Sequence, residues 1–113
     1  MKITCAMITM NMGKDIPGST LEYFLKTHSK DFERIIIVDG NLTHEAIDYY
    51  GWFKNVEYFD SPWKDSYVDQ YRVFASKLKE GEMCLYLDDD ELPSKELFDF
   101  LNLTYYDTIE NFK

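Results

Sequence analysis

The sequence predicts an α/β domain of three layers, with helices on both faces of a mostly parallel sheet of about four strands. Three observations predict it. Short apolar runs alternate with segments of helical period along the chain, the pattern of repeated strand–helix units joined by right-handed crossovers. The run Ile35-Ile36-Ile37-Val38 is continuous and β-branched, which suits a strand covered on both faces. Three runs also end in an acid, at Asp39, Asp60 and Asp88, and in an open α/β sheet the ligand crevice lies at the carboxyl ends of the strands.

Each element has its own warrant. Ile3 to Met10 is a short apolar run and the first strand. Asn11 to Gly18 holds Asn, Gly, Asp and Pro and is a loop. Ser19 and Glu22 have capping-box spacing, and Leu21, Phe24 and Leu25 share the face of the helix they open. Arg34 to Asp39 is the second strand. Gly40-Asn41 turns the chain, and Thr43 to Tyr50 is a short helix closed by Gly51. Val56 to Asp60 is the third strand and residues 61–65 a loop. Ser66 caps a third helix, with Asp69 at the capping-box position. Its apolar stripe is Tyr67, Tyr71, Phe74, Ala75 and Leu78, and it breaks at Gly81. Met83 to Leu87 is the fourth strand. Pro93-Ser94 starts a fourth helix carrying Leu97, Phe98 and Leu101. Residues 104–113 fit both a strand and a loose end.

Composition narrows the partners. A chain of 113 residues suits one small domain, and 45% hydrophobic residues make it globular. Aromatics reach 17%, so the chain has either a large aromatic core or an exposed surface awaiting a partner, a second copy included. The net charge of −9, with no cluster of Lys and Arg, argues against nucleic acid and anionic membranes. An anionic ligand then needs a metal to supply positive charge. The first residues lack the apolar core of a signal peptide, and no stretch has transmembrane length. The expected location is cytoplasmic, with Cys5 and Cys84 as reduced core residues.

The chemistry concentrates at Asp88-Asp89-Asp90-Glu91. Four adjacent carboxylates repel one another unless a cation sits among them, and a divalent ion with oxygen ligands is the simplest. A calcium EF loop from Asp88 fails because Pro93 stands where glycine is needed. There is no P-loop or Gly-x-Gly-x-x-Gly fingerprint. The two cysteines lie far apart and no histidines pair, which argues against zinc. His28 reads as a partly buried helix residue and His44 as a solvated one. Asp39 admits two readings, a ligand-facing carboxylate or one that caps its turn. Asp60, beside Ser61-Pro62, reads as a backbone-capping acid.

The order of strand, Val38-Asp39-Gly40, strand, Trp63 loop, helix with Arg72, then Leu87-Asp88-Asp89-Asp90-Glu91-Leu92 resembles the nucleotide-sugar-binding half of a GT-A type, family-2 glycosyltransferase, in the subgroup whose motif reads Asp-x-Asp-Glu. The likeness spans about residues 3 to 101. It implies a Rossmann-like nucleotide-binding half that takes a UDP- or GDP-sugar and passes the sugar to an unknown acceptor, with Mn2+ or Mg2+ as cofactor. It implies donor contacts from Thr9, Asp39, Arg72, Asp88 and Asp89, and metal ligation by Asp88, Asp90 and Glu91, with Asp90 the direct ligand. Arg72 is followed by Val73 where many members have Asn, and an i,i+3 pair with Asp69 is its alternative. Glu91 is either a ligand or the cap of the helix near Ser94. Trp63 and Tyr67 either flank the donor or pack in the core or the loop. The catalytic base and acceptor site of this family come from a further half; nothing after Glu91 offers a second acidic constellation, Asp99 and Asp107 being lone acids, so the expected enzyme is incomplete in this chain. A non-catalytic α/β binding or assembly module is the alternative.

Overall fold

The computed structural model describes residues 3–10, 19–64 and 66–101. The expected loop at 11–18, Asp65 and the tail from 102 lie outside them. Four strands form one sheet: β1 (Thr4–Thr9), β2 (Arg34–Asp39), β3 (Val56–Asp60) and β4 (Cys84–Tyr86). Their order is β3-β2-β1-β4, and every pairing is parallel. Helices α1 (Thr20–His28), α2 (His44–Tyr50) and α3 (Val68–Lys77) connect them. Residues 95–101 are helical and form α4.

The strand order dictates the layers. From β1 through β2 to β3 the chain moves one way across the sheet, so right-handed crossovers put α1 and α2 on the same face. The return from β3 to β4 runs the other way and puts α3 on the opposite face. Two separate cores result. Cys5, Met7, Ile35 and Ile37 pack with Leu21, Phe24 and Leu25 of α1 and Ala46 and Tyr50 of α2, with Phe98 of α4 against them. Ala6, Ile8, Ile36 and Val38 face Val73 and Phe74 of α3 and the following Leu78. The alternation along β1 and β2 is the period-two pleat feeding two helical layers. Both strands are buried almost throughout, and edge strand β3 is largely exposed.

Local signals behave as the sequence suggests at two helices. Ser19 accepts the Glu22 N–H, and Thr43, expected as the first residue of its helix, is the cap one position before it and accepts the Ala46 N–H. At α3 they do not. The helix starts at Val68 behind Tyr67, which caps nothing, while Ser66 Oγ accepts from Val68 at 3.1 Å. Ser66 therefore closes a tight turn one residue before the cap position, and the capping box with Asp69 is not made. The helix also ends at Lys77, since Leu78 is extended, and Gly81 at φ 77° serves the turn into β4. Both cysteines are free, with Cys5 in one core and Cys84 against the other. Among the described residues no helix is long and apolar enough to cross a membrane.

Candidate functional site

The sheet order creates a switch point between β1 and β4, where successive connections leave in opposite directions. In open α/β sheets the crevice outside the carboxyl ends at such a point is where ligands bind. A cleft of about 310 Å³ opens there, on the α3 side, lined by Ile8 on β1 and Met10 after it, Tyr86 at the end of β4 and Asp88, Asp89 and Asp90 beyond it, Tyr67 just before α3 and Tyr71 on it.

The strand register builds an acidic rim. Thr9, Asp39 and Asp60 are direct neighbours across β1, β2 and β3. β4 is shorter than expected, but Leu87 N–H still donates to Ala6 O at 3.0 Å, so the acids emerge immediately beyond the pairing. Thr9 Oγ1 donates to Asp89 Oδ2 at 2.8 Å and ties the acid segment to β1. Asp88 accepts from the Tyr86 hydroxyl at 3.0 Å. Its backbone N–H donates to Glu91 Oε1 at 2.8 Å, while Glu91 N–H returns to Asp88 O at 3.0 Å. Glu91 thus closes the 88–91 turn. It does not cap the next helix, a role filled by Ser94, which accepts the Leu97 N–H at 3.1 Å. Asp90 is exposed on the cleft wall with no hydrogen-bond or ion-pair partner among the described residues.

Asp39 sits differently. It is fully buried, with Oδ1 accepting from the Asn41 N–H at 2.9 Å and Oδ2 from the Tyr50 hydroxyl at 2.8 Å. The pleat puts it on the α2 face, where the last turn of α2 brings Tyr50. Burial pushes its carboxyl above the ordinary aspartate range; Asn41 and Tyr50 draw it back, and Asp60 and Asp89 raise it again. Its turn-forming reading is therefore realised, and as placed it offers no exposed oxygen to a donor. Thr9 is likewise 2% exposed and engaged with Asp89, so it orients an acid. Asp60 is exposed, and its carboxylate accepts no backbone hydrogen bond among the described residues; its expected capping role is not made.

Arg72 does not line the cleft and makes no ion pair among the described residues, so the Asp69 pair is not formed either. Trp63 and Tyr67 are 39% and 50% exposed and meet edge to face at 4.8 Å, so they pack on each other in the loop and not in the core; Tyr67 lines the cleft, and Trp63 is not among its lining residues. The aromatic contacts continue from Tyr67 to Tyr71 and from Tyr71 to Tyr86 at 5.5 Å. Tyr71 and Tyr86 belong to the site although sequence reasoning did not assign them to it. The signal was present: Tyr in the first half of α3, where the helix leaves the carboxyl rim, and Phe74 and Leu78 further along.

The donor set suits a hard divalent cation. It is all oxygen, without a thiolate or imidazole, as Mg2+ and Mn2+ prefer. Among the described residues no three His, Cys, Asp or Glu side chains gather into a metal-holding group. Mg2+ commonly takes one or two carboxylates and completes its shell with water and substrate phosphates, so Asp90 with Asp88 or Asp89 fits that role. No protein-family model matches this chain, and no curated protein matches it.

Proposed function

We propose that this chain is the donor-binding unit of a GT-A type glycosyltransferase, holding a nucleoside-diphosphate sugar at the switch-point cleft for transfer to an acceptor. The observation that carries the reading is the position of Asp88, Asp89 and Asp90, just beyond β4 and on the wall of the β1/β4 crevice. An anionic ligand would be repelled from this rim without a cation. A bound Mn2+ or Mg2+ would supply Lewis-acid stabilisation to the departing diphosphate. Asp90 is the direct ligand, since its carboxylate faces the cleft uncommitted. Asp88 and Asp89 hold the second position, each fixed through one oxygen and offering the other. Glu91 keeps the turn in shape and adds a carboxylate beside them. Tyr67, Tyr71 and Tyr86 line the same cleft and would offer aromatic rings to a sugar or base.

The test is calorimetric titration of the folded chain with UDP and GDP, with and without Mn2+. Binding of one of them is expected only with the metal. Asp90→Ala abolishes it, while Asp99→Ala, an exposed acid on α4, leaves it intact. Absence of binding with metal present, in a sample whose thermal transition is cooperative, overturns the reading.

A further inference from the structure

A second concave site lies at the opposite end of the sheet, in the loops that lead into β2 and β3. Its volume is about 520 Å³, within the range of small-molecule sites, and it is lined by Ser29, Lys30, Phe32, Trp52, Lys54 and Asn55, with Phe53 beside them. We propose that this pocket binds a small anion carrying a flat apolar ring, such as an aromatic carboxylate, sulfonate or phosphate.

Its walls are fixed by the backbone. Asn55 Nδ2 donates to Ser29 O at 2.7 Å and to Phe32 O at 3.1 Å, and Asn55 O accepts from Ile35 at 2.9 Å. One side chain thereby clamps the loop after α1 to the loop after α2. Trp52 and Phe53 are held by consecutive N–H donations to Tyr49 O and Tyr50 O, each at 3.1 Å. Phe32, 4% exposed, makes the floor, and Phe53 packs on the same core. From this frame Trp52 stands 82% exposed, an apolar ring with nothing covering it.

Charge selects the ligand. The chain carries a net −9, yet the two ionisable side chains lining this pocket are both lysines. Neither Lys30 nor Lys54 is ion-paired among the described residues. The acids of the carboxyl rim lie at the far end of the strands, and Asp31, next to Lys30, is engaged with His28 at 3.1 Å, which leaves the two lysines as the charges on the pocket wall. An indole face and two free ammonium groups on one pinned frame suit a ring bearing a negative charge.

The experiment compares 1-anilinonaphthalene-8-sulfonate with its uncharged counterpart N-phenyl-1-naphthylamine, titrated into the 113-residue chain. Dye emission is followed together with Trp52 emission in a Trp63→Phe background. Saturable binding of the sulfonate with quenching of Trp52 is expected, and the neutral dye should bind about tenfold more weakly, as loss of two exposed charge contacts implies. Lys30→Gln with Lys54→Gln should reproduce that loss, Lys30→Arg with Lys54→Arg should not, and Trp52→Ala should weaken both dyes. All these side chains are surface groups, so thermal melts should stay unchanged. Equal affinity for the two dyes, or unchanged affinity in the double Gln variant, overturns the proposal. So does loss of sulfonate binding on Asp90→Ala, since that variant touches only the other site.

Discussion

At the scale of single residues, Asp39 shows how one side chain takes on two demands. A carboxylate with no solvent contact is held by one backbone N–H and one phenol, and it fixes the turn through Asn41 and the end of α2 through Tyr50. Removing the phenol should be expensive, because the partner left behind is a buried carboxylate. Tyr50→Phe is expected to lower stability by about 1.5–3 kcal/mol, read from urea denaturation. The pH dependence follows from the raised carboxyl. Below the ordinary aspartate value of about 3.9 both states hold the proton, and Asp39 adds no slope. Between that value and the higher folded one, the folded state keeps a proton that the unfolded state has lost, so stability falls as pH rises. Above it the contribution is constant. Asp39→Asn should remove this decline, seen as a flatter urea midpoint against pH above about 4. Beside it, a Cβ at Gly40 would meet the Met10 thioether, the mobile end of a flexible side chain that can move aside.

At the scale of elements, the end of the sheet away from the acids is tied by Arg34. Its guanidinium reaches Glu57 on β3 at 2.7 Å, Glu82 before β4 at 3.1 Å and the Lys77 carbonyl at the end of α3, also at 3.1 Å. Thr4 of β1 also donates to Glu82. One cation therefore links β2 to its neighbour β3 and to the approach to β4 two strands away. Arg34→Met should cost roughly 2 kcal/mol, the scale of charged hydrogen bonds left without a donor. Burial pushes the Glu82 carboxyl up, but Thr4, the Lys79 N–H and Arg34 together outweigh it and hold it low. Its contribution is thus fully present above the ordinary glutamate value of about 4.3 and is lost as pH falls through the lower folded one. In Arg34→Met that acid loss should shrink, measured by thermal melts between about pH 5 and 2. Helix α3 carries a different lesson. Its stripe is one face by period, yet Phe74 and the following Leu78 are half-buried against the core, Ala75 is exposed, and Tyr67 and Tyr71 line the cleft. Period reports which face a residue occupies, and only the length of sheet beneath that face decides where core becomes crevice.

At the scale of the whole molecule, burial sets the order of opening. β1 and β2 are central and closed on both faces, whereas β3 and the three-residue β4 are edges. Amide hydrogen exchange should therefore be slowest at residues 5–8 and 35–38 and fastest among the strands in β3 and β4. Comparable protection across all four strands would contradict that gradient. The alternative of an assembly module has its own support in large exposed apolar groups, Trp52 at 82% and Phe100 at 63%. Light scattering separates the two readings: a stable oligomer that ignores nucleotide and metal favours assembly, and a monomer with metal-dependent nucleotide binding favours the donor site.

The sequence by itself determined the α/β class, β2 and β3 to the residue, the cap Ser19, and the acids that follow the fourth strand. These features are written in neighbouring residues: alternation, capping spacing and β-branched runs act over a few positions. Only the tertiary structure decided the rest. The strand order 3-2-1-4 placed the switch point beside β4 and thereby gave the acids a cleft. The register brought Thr9 to Asp89 across 80 residues of chain. The fold closed Asp39 against Tyr50, left Arg72 off the cleft wall and turned Trp63 outward. Each of these outcomes depends on which strand becomes whose neighbour, and that choice is made by global packing of two helical layers, a quantity no local stretch of sequence carries.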